Sequence, residues 1–205
     1  MNFGITLSNR GVLVGLCSPR DLLALADAVE ACAAMDSVWC GDALFVNRRL
    51  DALTLLAAVA GRTQRVLLGP ACMGSFALRN PLVFAYEWAS LDVLSNGRTR
   101  LVACAGGGAG PLWEAESAAL GVAPGERRKR MIENIHVLRH LWTKDDAPFT
   151  GQFTTFSKSS SNRSRCSRRV RSGWRPMPNG WRKARPIPAD RRLRSPAWAS
   201  SPTAG

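Results

Sequence analysis

Gly106, Gly107, Gly108, Ala109 and Gly110 stand in a row. Such a run could let a backbone approach a phosphate closely. It does not spell the dinucleotide fingerprint, whose glycines are separated at fixed intervals. His136 and His140 are four apart, a spacing that puts two imidazoles on one helix face and could serve a metal. No third ligand accompanies them, and two surface histidines are the simpler reading. The six cysteines, Cys17, Cys32, Cys40, Cys72, Cys104 and Cys166, show no CxxC spacing and no even framework. Most sit among apolar neighbours, where cysteine acts as a small hydrophobe. A reduced, cytoplasmic location fits that usage. The charged run Glu126–Arg130 reads as a solvated first helical turn. An Arg/Trp mixture near the C-terminus could contact phosphates and stack on bases, but it lacks a folded platform.

The charge is unevenly spread. The 205 residues carry a formal net charge of +13. Residues 1–156 hold 15 basic and 14 acidic residues, and residues 157–205 hold 13 basic residues with Asp190 as the only acid. The first part is a nearly neutral globular sequence. The second is rich in Arg, Ser and Pro, has no period of 2 or 3.6, and cannot bury enough apolar surface to offset its ordering entropy. The longest uncharged apolar runs, such as 52–61, are too short to span a membrane. The N-terminus lacks the basic and apolar regions of a signal peptide.

The elements that must position any site alternate. Phe3–Leu7 reads as a strand. Ser18 caps a helix with Pro19 in its first turn and Leu22, Leu25, Ala26 and Val29 on one face. Asp36–Cys40 is a second strand, and Asp51 caps a second helix through Ala60. Val66–Gly69 is a third strand. Asn80–Pro81 opens a third helix carrying Val83, Tyr86, Glu87, Leu91 and Leu94, and Asn96–Gly97 stops it. Arg100–Ala105 is a fourth strand. A fourth helix runs from about Pro124 to Trp142, with Ile132, Ile135, Leu138 and Leu141 or Trp142 on its buried face. Phe149–Phe156 is a short extended piece of hairpin type. Strands that are apolar on both faces and separated by helices predict a parallel α/β sheet.

Several segments, taken in order, carry a resemblance. These are the 1–5 start, Met35–Asp42 (MDSVWCGD), Asp51–Ala58, Leu78–Leu82 (LRNPL) and Leu91–Arg98 (LDVLSNGR). Ala119–Val122, Glu126–Arg127 and Val137–Trp142 complete the set. Together they resemble the bacterial luciferase-like monooxygenase family, including its F420-dependent oxidoreductases, over residues 1–156. The resemblance implies a TIM (β/α)8 barrel binding coenzyme F420, or alternatively FMN, at the C-terminal ends of its strands, with a small-molecule substrate. A full barrel needs eight units in ~250 residues. The expectation is therefore the N-terminal half of a barrel, about four βα units, followed by a disordered basic tail.

The resemblance also proposes cofactor-binding residues. Asp42 falls where the family has Gly-Asp-His, although Ala43 replaces the His. Cys72–Met73 falls where F420-using members carry a non-proline cis peptide. Thr6 ends the first strand, and Gly106 begins the Gly-rich loop after the fourth. No catalytic residue and no metal ligand is assigned. In barrels the phosphate is commonly gripped by loops after strands seven and eight, so this chain is expected to bind the cofactor poorly or not at all. Open strand edges predict self-association.

The tail has the composition of GC-rich DNA translated out of frame. With third bases chosen freely, a frame moved back by one base lets 158–165 read QVELEPVA and 171–178 read PIWLASNA. The segment 196–205 then reads ARVGELADGWM, a following stop codon supplying the last base. These strings resemble, in order, what the family carries after its hairpin. The rival expectation is a non-enzymatic α/β domain with a basic nucleic-acid-binding tail.

Overall fold

The computed structural model describes residues 3–107, 110–123, 125–143 and 147–157. By internal contacts the chain divides into Met1–Trp174 and Arg175–Gly205, and every described residue belongs to the first unit. The expectation of a disordered or nucleic-acid-binding tail after 157 falls outside the described residues.

Three parallel strands, β1 (Gly4–Leu7), β2 (Ser37–Cys40) and β3 (Leu67–Pro70), form a sheet in sequential order. The register places Thr6 opposite Trp39 and Trp39 opposite Gly69. Between β1 and β2 lie α1 (Asn9–Leu13) and α2 (Pro19–Ala31); α3 (Ala52–Arg62) links β2 to β3. A single 3-10 turn, Phe76–Leu78, precedes α4 (Pro81–Leu94), then come α5 (Pro111–Ala119) and α6 (Arg127–Thr143). A hairpin, β4 (Phe149–Thr150) with β5 (Thr155–Phe156), closes the described chain. The α/β class and the succession of parallel strand–helix units agree with expectation. Among the described residues, no helix is long and apolar enough to cross a membrane.

The helix starts follow from their caps. Ser18 Oγ accepts from the Asp21 N–H at 3.2 Å, and Asp21 returns the bond to the Ser18 N–H at 2.7 Å, a full capping box. Asp51 Oδ1 accepts from the Thr54 N–H at 2.9 Å. Asn80 Oδ1 accepts from the Leu82 N–H at 2.9 Å. The chain leaves α4 through Asn96 and Gly97, both at positive φ, as a left-handed helix exit requires.

The fourth strand differs from expectation. Residues 98–104 run beside β3 and the residues that follow it, but pair there as two isolated parallel bridges, Leu68 with Thr99 and, beyond β3, Met73 with Ala103. Where the two backbones come closest, a side chain on Gly69 would collide with the Arg100 carbonyl, so only glycine admits the approach. The fourth helix begins at Arg127 rather than near Pro124, and α1 and α5 have no counterpart in the sequence reading.

The core lies between the sheet and the helices. Leu7, Val38, Cys40, Leu68, Leu22, Leu56, Val59, Phe84 and Trp88 are buried there. On α2, Leu22, Ala26 and Val29 are buried as expected, while Leu25 is exposed. On α4 the buried face is Phe84, Ala85, Trp88 and Leu91; Val83, Tyr86 and Leu94 face outward. On α6, Leu138 and Trp142 are buried and Ile132 is exposed. Trp142 fixes α6 to α4 by donating to the Ala85 carbonyl at 3.2 Å, and Asn134 donates to the Phe76 carbonyl at 2.9 Å.

Glu133 holds the hairpin to α6. Its carboxylate accepts from the Gln152, Phe153 and Thr154 N–H groups at 2.6, 2.8 and 2.7 Å. Glu133→Ala is expected to leave the fold intact but to speed amide exchange at 152–154 about tenfold, the loss of one local clasp. Unchanged exchange at those amides counts against this role.

Candidate functional site

The C-terminal ends of β2, β3 and the 98–104 segment converge. Asp42 follows β2, and its side chain is fully buried. Its Oδ2 accepts from the Ser75 N–H at 2.6 Å, while Oδ1 has no hydrogen-bond partner and lies 3.6 Å from Arg79 Nη2. Arg79 is held in turn by Asp51 Oδ2 at 2.6 Å and Ser75 Oγ at 2.8 Å. Burial pushes the Asp51 carboxyl up, but the Arg79 guanidinium and the Thr54 N–H outweigh it and leave it below the ordinary carboxylate value. Beneath this layer, burial together with the charges of Asp42 and Asp51 pushes the Cys40 thiol up to about 12, so it is inert.

Gly74 and Gly106 bring two of these strand ends together. A Cβ on Gly106 would collide with the Gly74 carbonyl, and one on Gly74 would sit 3.1 Å from the Asp42 carbonyl oxygen. Gly106 and Gly107 are both at positive φ. They form one wall of a cavity of about 720 Å³, whose other walls include Trp113, Ser117, Val122 and Arg127.

Arg127 lines that cavity together with Arg128 and Glu114, and it is not a solvated turn residue. Its side chain is 13% exposed. Nε donates to Ser117 Oγ at 2.8 Å and Nη2 to Glu116 Oε2 at 2.8 Å. Nη1 is buried without a partner, and lies beside the Cβ positions of Gly106 and Gly107. Glu116 is itself buried, and its Oε1 accepts from the Leu44, Phe45 and Val46 N–H groups at 3.2, 3.0 and 3.3 Å. One carboxylate thus clamps the loop after β2 to α5 and α6. Burial pushes the Glu116 carboxyl up, yet Arg127 and the N–H groups of Phe45 and Val46 carry it below its ordinary value. Of the same charged run, Arg130 bonds Glu126 at 3.0 Å and lies 4.6 Å over the Phe153 ring.

The five residues expected to bind cofactor are placed as follows. Asp42, Cys72 and Gly106 belong to the converging strand ends. Met73 turns its side chain fully into the core. Thr6 is exposed on β1, opposite Trp39. The cis peptide is the Ala71–Cys72 bond, so it precedes Cys72 and does not join Cys72 to Met73. The reading of the cysteines as unpaired hydrophobes needs correction: Cys72 and Cys104 form a disulfide, with Cα atoms 6.1 Å apart. The ends of adjacent strands bring them together, which no local spacing motif reveals. His136 is exposed, and His140 Nε2 lies 2.9 Å from the Ala147 carbonyl oxygen, with its ring edge-on to the stacked Phe149 and Phe156 rings. Among the described residues, no three His, Cys, Asp or Glu side chains gather as a metal site would need.

Sequence reasoning missed Glu116 and Arg127. Their partners are backbone groups and residues far along the chain. The signal available was an Ala-rich stretch with two glutamates, Glu114 and Glu116, that follows a Gly-rich loop.

Comparison with known proteins agrees with this architecture. The family described as luciferase-like monooxygenase matches residues 1–186. Among curated proteins, an F420-dependent glucose-6-phosphate dehydrogenase of Amycolatopsis mediterranei is 34% identical over 142 residues, covering 66% of this chain and 41% of that protein. Its namesake in Mycolicibacterium fortuitum is 33% identical over 144 residues with the same coverage. The chain therefore spans about 41% of the length of these relatives. A monooxygenase from Streptomyces bottropensis superposes with a TM-score of 0.62 at 27% identity, over 77% of this chain and 48% of that one. An F420-dependent secondary alcohol dehydrogenase shares the fold at 23% identity, also with a TM-score of 0.62, over 77% of this chain and 47% of that one. Ordered motifs, parallel βα units and these matches lead to one conclusion: the chain belongs to the luciferase-like monooxygenase family.

Proposed function

We propose that residues 1–156 are the first half of a luciferase-like barrel built for oxidoreduction with coenzyme F420, or alternatively FMN, on a small-molecule substrate in the cytoplasm. The observation that carries this is the buried, unpartnered Arg127 Nη1 beside the Gly106–Gly107 backbone in a cavity at the strand C-termini. Barrel enzymes place their ligands at that end. The group fits the residues present. Glycines admit close approach of a ring or phosphate, and a guanidinium N–H without an acceptor matches an anionic or carbonyl oxygen. Gly106, Gly107 and Arg127 would hold it, and Asp42 would shape the neighbouring wall.

When bound, such a cofactor supplies hydride transfer or oxygen activation at its reduced ring. The chain's own residues position. Glu116 and Ser117 fix the Arg127 guanidinium so that Nη1 alone is left to a ligand, and Ser75 and Arg79 fix Asp42. F420 is favoured over FMN by the names of the relatives at 34% and 33% identity. Residues 157–205 are read in the same proposal as out-of-frame translation, which DNA sequence across codon 157 tests; an intact single frame overturns it.

The chain alone is expected to bind F420 or FMN with a Kd weaker than ~100 μM. A chimera joining residues 1–156 to the second half of one of the matched relatives is expected to bind about a hundredfold tighter, by fluorescence titration. A folded chimera that binds neither cofactor overturns the proposal.

A further inference from the structure

We infer that the Cys72–Cys104 disulfide is a reversible redox clasp that sets the shape of the cavity wall. The bond ties the segment after β3 to the segment that runs beside it. Both cysteines are partly exposed, so a small reagent reaches them. The thiols of Cys17 and Cys32 are free and distant in sequence, and that of buried Cys40 is held protonated. Disulfides in a reducing compartment are mostly catalytic or redox-sensing, not permanent staples.

The geometry tells what the clasp controls. One residue beyond Cys72, the Met73 N–H donates to the Val102 carbonyl at 2.7 Å, and the Cys104 N–H reaches the Met73 carbonyl at 3.4 Å. Two residues beyond each cysteine, Gly74 and Gly106 are in backbone contact. Gly106 and Gly107 then abut Arg127, the residue with the unpartnered N–H. The covalent tie therefore stands directly upstream of the contact that holds the cavity wall in place. With the bond open, 104–107 keep the long 3.4 Å hydrogen bond and the glycine contact to 72–74 among the described residues, with the Met73–Val102 bond just upstream.

The chemistry balances with common reagents. A dithiol reduces the bond by exchange: one thiolate attacks a cysteine sulfur, the mixed disulfide resolves, and two cysteine thiols and one oxidised dithiol result. A peroxide closes it again. One thiolate takes an oxygen to give a sulfenic acid and releases water or alcohol, and the second thiol displaces hydroxide to re-form the S–S bond.

The test uses the full chain, purified without reductant. Alkylation and peptide mapping are expected to find Cys72 and Cys104 linked after hydrogen peroxide, and both alkylated after dithiothreitol under native conditions. Amide exchange at 103–107 is expected to rise about tenfold on reduction, while β1 and β2 stay protected. The double variant Cys72→Ser/Cys104→Ser is expected to show the fast exchange regardless of reagent. Unlinked cysteines after peroxide, a bond that native dithiothreitol leaves intact, or equal exchange in the two forms overturns the inference. The cofactor arm rests on the function proposed above: a chimera that binds F420 in neither redox state defeats that reading alone, provided the exchange difference persists.

Discussion

Arg98→Met is expected to destabilise the domain by about 3 kcal/mol, because it strips several buried acceptors of their donor at once. Arg98 is 8% exposed. Its guanidinium donates to the carbonyls of Ser95, Val66, Ala60 and Thr63 at 2.7, 2.7, 3.1 and 2.7 Å, and to Thr63 Oγ1 at 2.9 Å. Two of these carbonyls belong to the last turn of α3 and its cap, where the helix leaves acceptors without partners. The side chain thus joins the end of α3, the start of β3 and the turn after α4. Burial draws the guanidinium below its ordinary pKa, with the Glu30 charge opposing. The variant relieves that desolvation, which keeps the net cost near 3 kcal/mol and not higher. In urea the midpoint should fall by roughly 1.5 M. Arg98→Lys keeps the charge but not the planar fork, and should recover less than about half of the loss. A midpoint within about 0.3 M of the parent would show that these bonds contribute nothing net.

The second large effect is expected at Glu116. Glu116→Gln removes the charge that balances Arg127 and weakens the acceptor for three loop N–H groups. Breaking a buried ion pair from one side costs about 3–5 kcal/mol. The pH dependence has a definite sign. The folded-state pKa of Glu116 lies below its ordinary value of 4.5. Its contribution is therefore complete above that value and is lost as pH falls through the depressed folded-state pKa. Asp51 acts in the same direction below its ordinary value of 3.8. Urea midpoints measured from pH 7 to pH 3 should fall less steeply below 4.5 for the variant than for the parent. Parallel profiles would remove Glu116 from the account.

What could be read in the sequence was local. Ser18, Asp51 and Asn80 announce helix starts because an N-cap is a bond within three residues. The first three strands are short apolar runs bounded by charge and glycine, and they occur where expected. Residues 100–105 have the same texture, but pairing there depends on how closely the Arg100 carbonyl approaches Gly69, a matter of two backbones. Helix α5 is short, and its buried face carries Glu116 and Ser117 instead of aliphatic side chains, so the hydrophobic period that marks a helix is missing. At the candidate site, Asp42 and Gly106 are expected only through the order of family motifs. Arg127 was passed over because charged runs at helix starts are usually solvated; its burial comes from Glu116, eleven residues away, and from the glycines beside it. The Cys72–Cys104 bond spans 32 residues and depends on strand adjacency alone.

The alternation along β1 has a consequence of another kind. Leu7 points to the helices and is fully buried, while Gly4 and Thr6 on the opposite face are exposed. Trp39 and Gly69 continue that second face across the register. The strand side chains buried in the core, Leu7, Val38, Cys40 and Leu68, lie on the helix side, and Thr6 takes no part in that packing. On that exposed face of β1, at Thr6, packing imposes little. Substitution at Thr6 can therefore change that face without unfolding the protein, whereas Glu116 and Arg127 tie the cavity wall to the stability of the whole unit.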